Sequence, residues 1–308
     1  MDALSAVDAP LCAAPDRAPR APRVPLPAGA CDCHAHICGP AARFPYAHER
    51  IYTPPDATIA DYFTLLNSLG VDCAVLVQPS VYGTDNRALL EALQTAGPGF
   101  RGVAVTDPAI SDINIALLHR VGIRGIRLNL VDRKDARNQV PLDALRALAK
   151  RIAPFGWHIE FLVNLDDAAG FMSAIADLPV PIVLGHMGYP RFGAASWTTA
   201  PGFADLLRML EKGRCWVKLT GPYRISRAAD LPYDDVDPVA ARLVEAAPHR
   251  LLWGSDWPHV MMKKPMCNDG AICDLLERWI PDATTRRKIL VENPMHLYGF
   301  AADERLTR

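Results

Sequence analysis

The sequence predicts one (β/α)₈ TIM-like barrel, an α/β fold. Apolar runs of strand length alternate with helix-length amphipathic segments eight times. Those runs are almost continuously apolar, which suits a parallel sheet covered on both faces. No Gly-x-Gly-x-x-Gly or Walker-type loop points to an open, doubly wound sheet instead. The length of 308 residues also fits one such barrel.

Strand one is expected at 30–34, followed by a helix at 58–69 that Gly70 stops. A strand at 73–77 leads to a helix at 85–96 with an acidic cap, Asp85. A strand at 101–105 leads to a helix at 111–121, capped by Ser111 and stopped by Gly122. A strand at 123–130 precedes a helix at 141–153 with Pro141 in its first turn. The second half repeats the rhythm: strand 157–163 and helix 166–177, strand 181–185 and helix 203–211, strand 215–219 and helix 238–247. Strand 250–253 comes last, with helices around 271–280 and 284–292. The connections 39–57 and 189–201 are long, and long loops in a compact barrel more often serve the site than the scaffold.

Residues 1–28 differ from the rest. They are rich in Ala and Pro, with Arg17, Arg20 and Arg23 interspersed, and read as a flexible arm before a barrel at 29–308. Prolines break any amphipathic transit helix there, and no uninterrupted apolar stretch resembles a signal peptide, so a cytoplasmic location is expected. A net charge of −1 gives no global pull toward nucleic acid or an anionic membrane. The eight cysteines are expected as free thiols, because a chain this long needs no disulfide staples.

Catalytic residues of such a barrel lie at the C-terminal strand ends, and the unusual polar residues collect there. His34 and His36 are two apart on strand one and face one space. Two imidazoles there can bind a divalent metal or polarise a carbonyl, unless they are a chance pair in a surface turn. His186 follows the apolar strand 181–185; a lone histidine is often only a satisfied polar residue. Asp256, in Trp253-Gly-Ser-Asp256-Trp-Pro-His259, ends strand eight. It could be a capping carboxylate, or one that takes a proton from water and returns it to a leaving group. His259 is within reach to orient it. Arg127 lies in an otherwise apolar strand, where a guanidinium calls for an anion. Arg133 and Arg224 follow strands four and seven; with Arg127 they could grip an oxyanion through paired hydrogen bonds, or be exposed loop charges.

The combination resembles the amidohydrolase superfamily: His-x-His on strand one, a later strand-end His, and Asp on strand eight. Longer stretches narrow the resemblance. These are Tyr52-Thr-Pro-Pro-Asp56, Val77-Gln-Pro-Ser80, Gly83-Thr-Asp-Asn86, Gly125-Ile-Arg127-Leu-Asn129, Gly156-Trp-His158, His186-Met-Gly188, Trp253–His259 and Asn293-Pro-Met295. They are similar to the 2-pyrone-4,6-dicarboxylate lactonases and 4-sulfomuconolactone hydrolases, from about Pro27 to Tyr298. The resemblance implies a lactone ester hydrolase of aromatic-compound breakdown. It implies His34, His36, His186 and Asp256 as catalytic residues, with His259 beside them. It implies Tyr52, Ser80, Arg127, Arg133 and Arg224 as contacts to a small anionic lactone.

Two expected pocket positions depart from the dicarboxylate pattern: Leu162 stands in place of a tyrosine and Tyr189 in place of an arginine. The 4-sulfomuconolactone branch, whose ring-opened product can expel sulfite to leave maleylacetate, fits those changes better. That branch is associated with zinc, which His34, His36, His186 and Asp256 would hold; the dicarboxylate branch works without metal. Glu160, on strand five, is expected to face outward and pair with a helix cation, the sharper alternative being a metal ligand or proton carrier. A decarboxylase and a lactone isomerase of the same superfamily are the rival activities, and a homo-oligomer is compatible with the sequence.

Overall fold

The computed structural model describes residues 9–132, 139–191 and 193–301. Eight parallel strands form one sheet in sequence order. They are β1 (Cys31–Ala35), β2 (Cys73–Val77), β3 (Phe100–Ala104), β4 (Ile123–Asn129), β5 (His158–Leu162), β6 (Ile182–Leu184), β7 (Cys215–Leu219) and β8 (Leu251–Trp253). Every strand the sequence predicts is present, with ends moved by two residues or fewer. Two backbone hydrogen bonds close the ring: Asp256 N donates to His34 O at 2.8 Å, and His36 N donates to Trp257 O at 2.8 Å.

The predicted stop signals work as expected at the first helix, Ile59–Leu69. The Thr58 side chain accepts from Asp61 N, Asp61 reaches back to Thr58 N, and Gly70 ends the helix at φ 74°. Ser111 likewise caps the helix Asp112–Arg120. Asp85 does not sit at a cap position; the helix begins at Arg87, whose amide and guanidinium Asp85 accepts.

One predicted helix is different in kind. Residues 166–177 hold a 3₁₀ turn at Leu165–Asp167 and a short helix at Phe171–Ala174, separated by Gly170 at φ 75°. A left-handed residue cannot continue a right-handed helix. At the other end the sequence reading stops too early: a π-turn at Lys288–Glu292 runs on into a last helix, Asn293–Tyr298. Tyr298 and Phe300 cluster with Cys31, Cys33, Val75, Val103, Trp216 and Leu252 at the base of the barrel. All eight cysteines are free thiols. Among the described residues, no helix is long and apolar enough to cross a membrane.

Residues 9–28 run along the barrel. Cys12 N donates to Thr53 O, and Thr53 N to Pro10 O. Arg17 binds Asp61 and the carbonyl of Asp56. Arg20 and Arg23 both reach Asp274.

Asp32 fastens β1 to the segment after β8. Its carboxylate accepts from His34 N, Ser255 N, Ser255 Oγ and Tyr62 Oη at 2.5–3.1 Å. Burial pushes its carboxyl up to about 6 in spite of those donors. Removing the acceptor leaves four buried donors unpaired, each costing roughly 1–3 kcal/mol. Asp32→Ala should therefore lower unfolding stability by about 4 kcal/mol or more in urea denaturation. A loss under about 1 kcal/mol would contradict this role.

Candidate active site

The ring-closing hydrogen bonds set the site. They hold the end of β1, with His34 and His36, against the turn after β8, with Asp256. His34 Nε2 lies 3.7 Å from Asp256 Oδ1, His36 Nε2 4.0 Å from the same oxygen, and His186 Nδ1 4.0 Å from Oδ2. The His34 ring is 5.0 Å from that of His36 and 5.1 Å from that of His186. All four side chains are buried. Asp256 (φ 66°), His186 (φ 49°), Tyr189 (φ 47°) and His259 (φ 60°) adopt left-handed backbone that non-glycine residues rarely take. Strain of this kind gathers where surrounding structure over-determines a side chain's position.

The two oxygens of Asp256 have different surroundings. Oδ2 accepts from Tyr223 Oη at 2.6 Å and Arg224 Nε at 2.5 Å. Oδ1 has no hydrogen-bond partner and faces the two β1 imidazoles. Burial works against the Asp256 charge, but Arg224, His186 and His34 outweigh it and hold the carboxyl well below its usual range. Arg224 is therefore engaged by Asp256 and by the carbonyl of Val260, whereas the sequence reading places it on substrate alone.

His36 Nδ1 lies 2.7 Å from Val77 O, so it carries the proton and Nε2 presents a lone pair to the site. His186 Nδ1 is 2.7 Å from Thr220 Oγ1. Burial first, and then neighbouring positive charge, keep His36 and His186 neutral, well below the usual imidazole range. His259 does not touch the Asp256 carboxylate directly. Its Nδ1 lies 3.0 Å from Tyr223 Oη, and its Nε2 3.0 Å from Asp269 Oδ1. Burial would lower this imidazole, but Asp269 outweighs it and the pKa rises. His259 thus steadies Tyr223, which holds Asp256.

Among the described residues, His34, His36 and Asp256 offer three ligand atoms within 4.8 Å of one another. His186 falls outside that group, which narrows the four-ligand set expected from sequence. Two imidazole nitrogens and a carboxylate oxygen, two of these atoms buried without partners, suit zinc.

His36, Tyr52, Ser80, Arg127, Leu162, His186, Tyr189 and Arg224 line one cavity at the mouth. Arg127 is buried and donates to Gln78 O at 2.9 Å, and Ser80 Oγ reaches Tyr52 Oη at 3.5 Å. Arg133 lies outside the described residues. Sequence reasoning missed Asn129, Asp132, Val260 and Met261 in the same lining. It also missed Thr220, Tyr223 and Lys218 behind it.

Glu160 corrects an expectation. It is buried inside the barrel, not turned outward, and pairs with Lys218 Nζ at 2.6 Å on β7 rather than with a helix cation. Its other oxygen is 3.2 Å from His34 Nδ1.

The amidohydrolase family model matches residues 31–300. This chain belongs to the amidohydrolase family. The amidohydrolase is 39% identical to a 2-pyrone-4,6-dicarboxylate hydrolase of Comamonas testosteroni, over 91% of this chain and 93% of that one. It is 35% identical to a 4-sulfomuconolactone hydrolase of Rhizobium radiobacter, over 92% and 96%. A solved Pseudomonas putida structure, assigned as a 2-pyrone-4,6-dicarboxylic acid hydrolase, superposes with a TM-score of 0.78 at 33% identity, over 90% of this chain and 100% of that one.

Gly221 packs against this site with φ 56°. A methyl there would come 2.8 Å from Asp256 Oδ2 and 2.9 Å from His186 Nδ1. Gly221→Ala should cut turnover roughly 100-fold, because displacements near 1 Å cost that much. Circular dichroism and cooperative melting should persist. Wild-type turnover in the folded variant would mean that these two side chains tolerate displacement.

Proposed function

We propose that this amidohydrolase hydrolyses a small anionic lactone, with 4-sulfomuconolactone as the leading substrate and 2-pyrone-4,6-dicarboxylate as the alternative. The observation that carries the reading is Asp256. One of its oxygens is fixed by Tyr223 and Arg224, and the other is free between His34 and His36. That is the arrangement a water-activating carboxylate needs. Relatives named for both substrates, at 39% and 35% identity, support the reaction class.

In this reading Arg127, Tyr52 and Ser80 hold the substrate's acidic groups at the mouth. Asp256 Oδ1 draws a proton from water as the water oxygen bonds to the lactone carbonyl carbon. His186 can donate from Nε2 to the oxygen that gains charge when Thr220 Oγ1 donates to its Nδ1, whereas the Nε2 lone pairs of His34 and His36 are available to a metal. The acyl–oxygen bond then breaks, and Asp256 returns its proton to the departing ring oxygen. The new carboxyl ionises and releases one proton to solvent. His34, His36 and Asp256 would hold zinc, which when bound supplies Lewis acidity and a more acidic water.

The choice of the sulfonated substrate rests on the lining. Leu162 lacks the phenol, and Tyr189 the positive charge, of the tyrosine and arginine that the dicarboxylate lactonases are expected to carry at those positions.

A pH-indicator assay against both lactones, with and without chelator, tests the reading. Turnover of either supports lactone hydrolysis. No turnover of any carboxylated or sulfonated lactone overturns it. Asp256→Asn should lower kcat by about 10³-fold with the fold kept; near-normal turnover would remove the carboxylate from the mechanism. Arg127→Met should raise KM for the anionic lactone about 10–100-fold, the loss of one or two charge-assisted hydrogen bonds. An equal rise on a neutral lactone would assign Arg127 a structural role.

A further inference from the structure

Lys218 and Glu160 are fully buried partners on facing strands, and the proposed reaction uses neither. Burying such a pair costs the hydration of both ions, and apolar residues of similar volume often serve stability as well. The pair therefore calls for a role beyond packing. Both groups converge on one atom: His34 Nδ1 is 3.2 Å from Glu160 Oε1 and 3.2 Å from Lys218 Nζ. On the far side of the same ring, Nε2 has no partner and faces Asp256 Oδ1 at 3.7 Å.

Only one proton sits on a neutral imidazole, and these contacts decide where. If Nδ1 accepted from Lys218, the proton would lie on Nε2. Its nearest carboxylate oxygen, at 3.7 Å, is too far for a hydrogen bond. Glu160 Oε1 would then face a lone pair. If Nδ1 carries the proton, Glu160 Oε1 gains a donor, while Lys218 keeps its 2.6 Å bond to Oε2. His34 Nε2 and His36 Nε2 then both present lone pairs beside Asp256 Oδ1, at 3.7 and 4.0 Å.

We propose that Glu160, held by Lys218, is the positioning residue for His34: it takes the Nδ1 hydrogen and so presents the Nε2 lone pair to the site. A carboxylate behind a ligating imidazole is a recurring means of fixing its tautomer and raising its basicity. Because Lys218 bonds the opposite oxygen, the carboxylate is anchored from β7 beneath the ring. The proposal rests on the active-site reading above for its catalytic consequence, but its structural content does not.

Glu160→Gln supplies the test. The glutamine oxygen should turn to Lys218, and its amide N–H₂ should then face His34 Nδ1 and reverse the tautomer. In ¹⁵N-histidine spectra of the zinc-free protein, with the His34 signal assigned by its loss in His34→Ala, wild type should show protonated Nδ1 and bare Nε2. Glu160→Gln should show the opposite. Zinc affinity, titrated calorimetrically, should fall about 10–100-fold, the usual effect of losing such a partner. In lactone assays kcat should fall at least tenfold with KM little changed.

The double variant Glu160→Leu/Lys218→Met separates positioning from folding. It should melt within a few degrees of wild type yet keep the kcat defect. A bare Nδ1 in wild type, an unchanged His34 signature in Glu160→Gln, or wild-type kcat in the double variant would overturn the proposal. If wild type hydrolyses no lactone, the proposed reaction fails while the tautomer measurement still decides this inference.

Discussion

Closing the barrel and assembling the site are one event. The bonds from Asp256 N to His34 O and from His36 N to Trp257 O join the first strand to the segment after the last. The residues that make them are the ones whose side chains meet. Asp32 ties the same seam from below through Ser255. Gly254 allows that approach, since a Cβ there would stand 2.6 Å from His34 N. A barrel that failed to close at this seam would lose its carboxylate and two of its imidazoles together.

Charge buried at the seam is compensated locally. Asp256 has Arg224 and Tyr223, Glu160 has Lys218, and His259 has Asp269. These groups form two networks flanking the imidazoles. One approaches Asp256 from the β7 and β8 loops. The other approaches His34 from inside the barrel, through β5 and β7. Each constrains one side of the reacting space, and the atoms left unsatisfied, His34 Nε2 and Asp256 Oδ1, point into it. A buried polar atom without a partner is costly, so the free energy of folding is set against a site that a ligand can complete.

Strands were legible in the sequence because continuous apolar runs bounded by turn residues leave few alternatives. His34, His36, His186 and Asp256 were legible because they are polar residues at the ends of such runs. What escaped was mostly a matter of direction. Leu162 is placed in the pocket by sequence and Glu160 on the outside, yet the two are two apart on β5 and must share a face. Applying that parity would have turned Glu160 inward. Lys218 and Thr220 likewise share a face on β7 and just beyond it, but a lysine in an apolar strand reads as a surface residue unless its partner is known. The broken helix after β5 had a signal too, in Gly170. Tyr223 had none, because nothing local says that a phenol one residue before Arg224 will meet a carboxylate 33 residues on.

Charge at the mouth bears on which substrate the proposed reaction would take. Arg224 lines the cavity, but its guanidinium is paired with Asp256. Asp132 adds a carboxylate to the same lining, held by Asn129. Among the described residues that line the cavity, Arg127 is the cation without a carboxylate partner. In the proposed reaction a substrate with two acidic groups would meet one ready guanidinium among these described residues, and would engage Arg224 by drawing it part of the way from Asp256. Such a shift would leave Asp256 with fewer donors on Oδ2 at the stage when its other oxygen must accept a proton. Recognition of the second acidic group and the basicity of the carboxylate would in this way be coupled through one side chain. In the proposed reaction Arg224 would link substrate grip to catalysis, a connection that its bond to Asp256 gives it and that the arginine on β4 lacks.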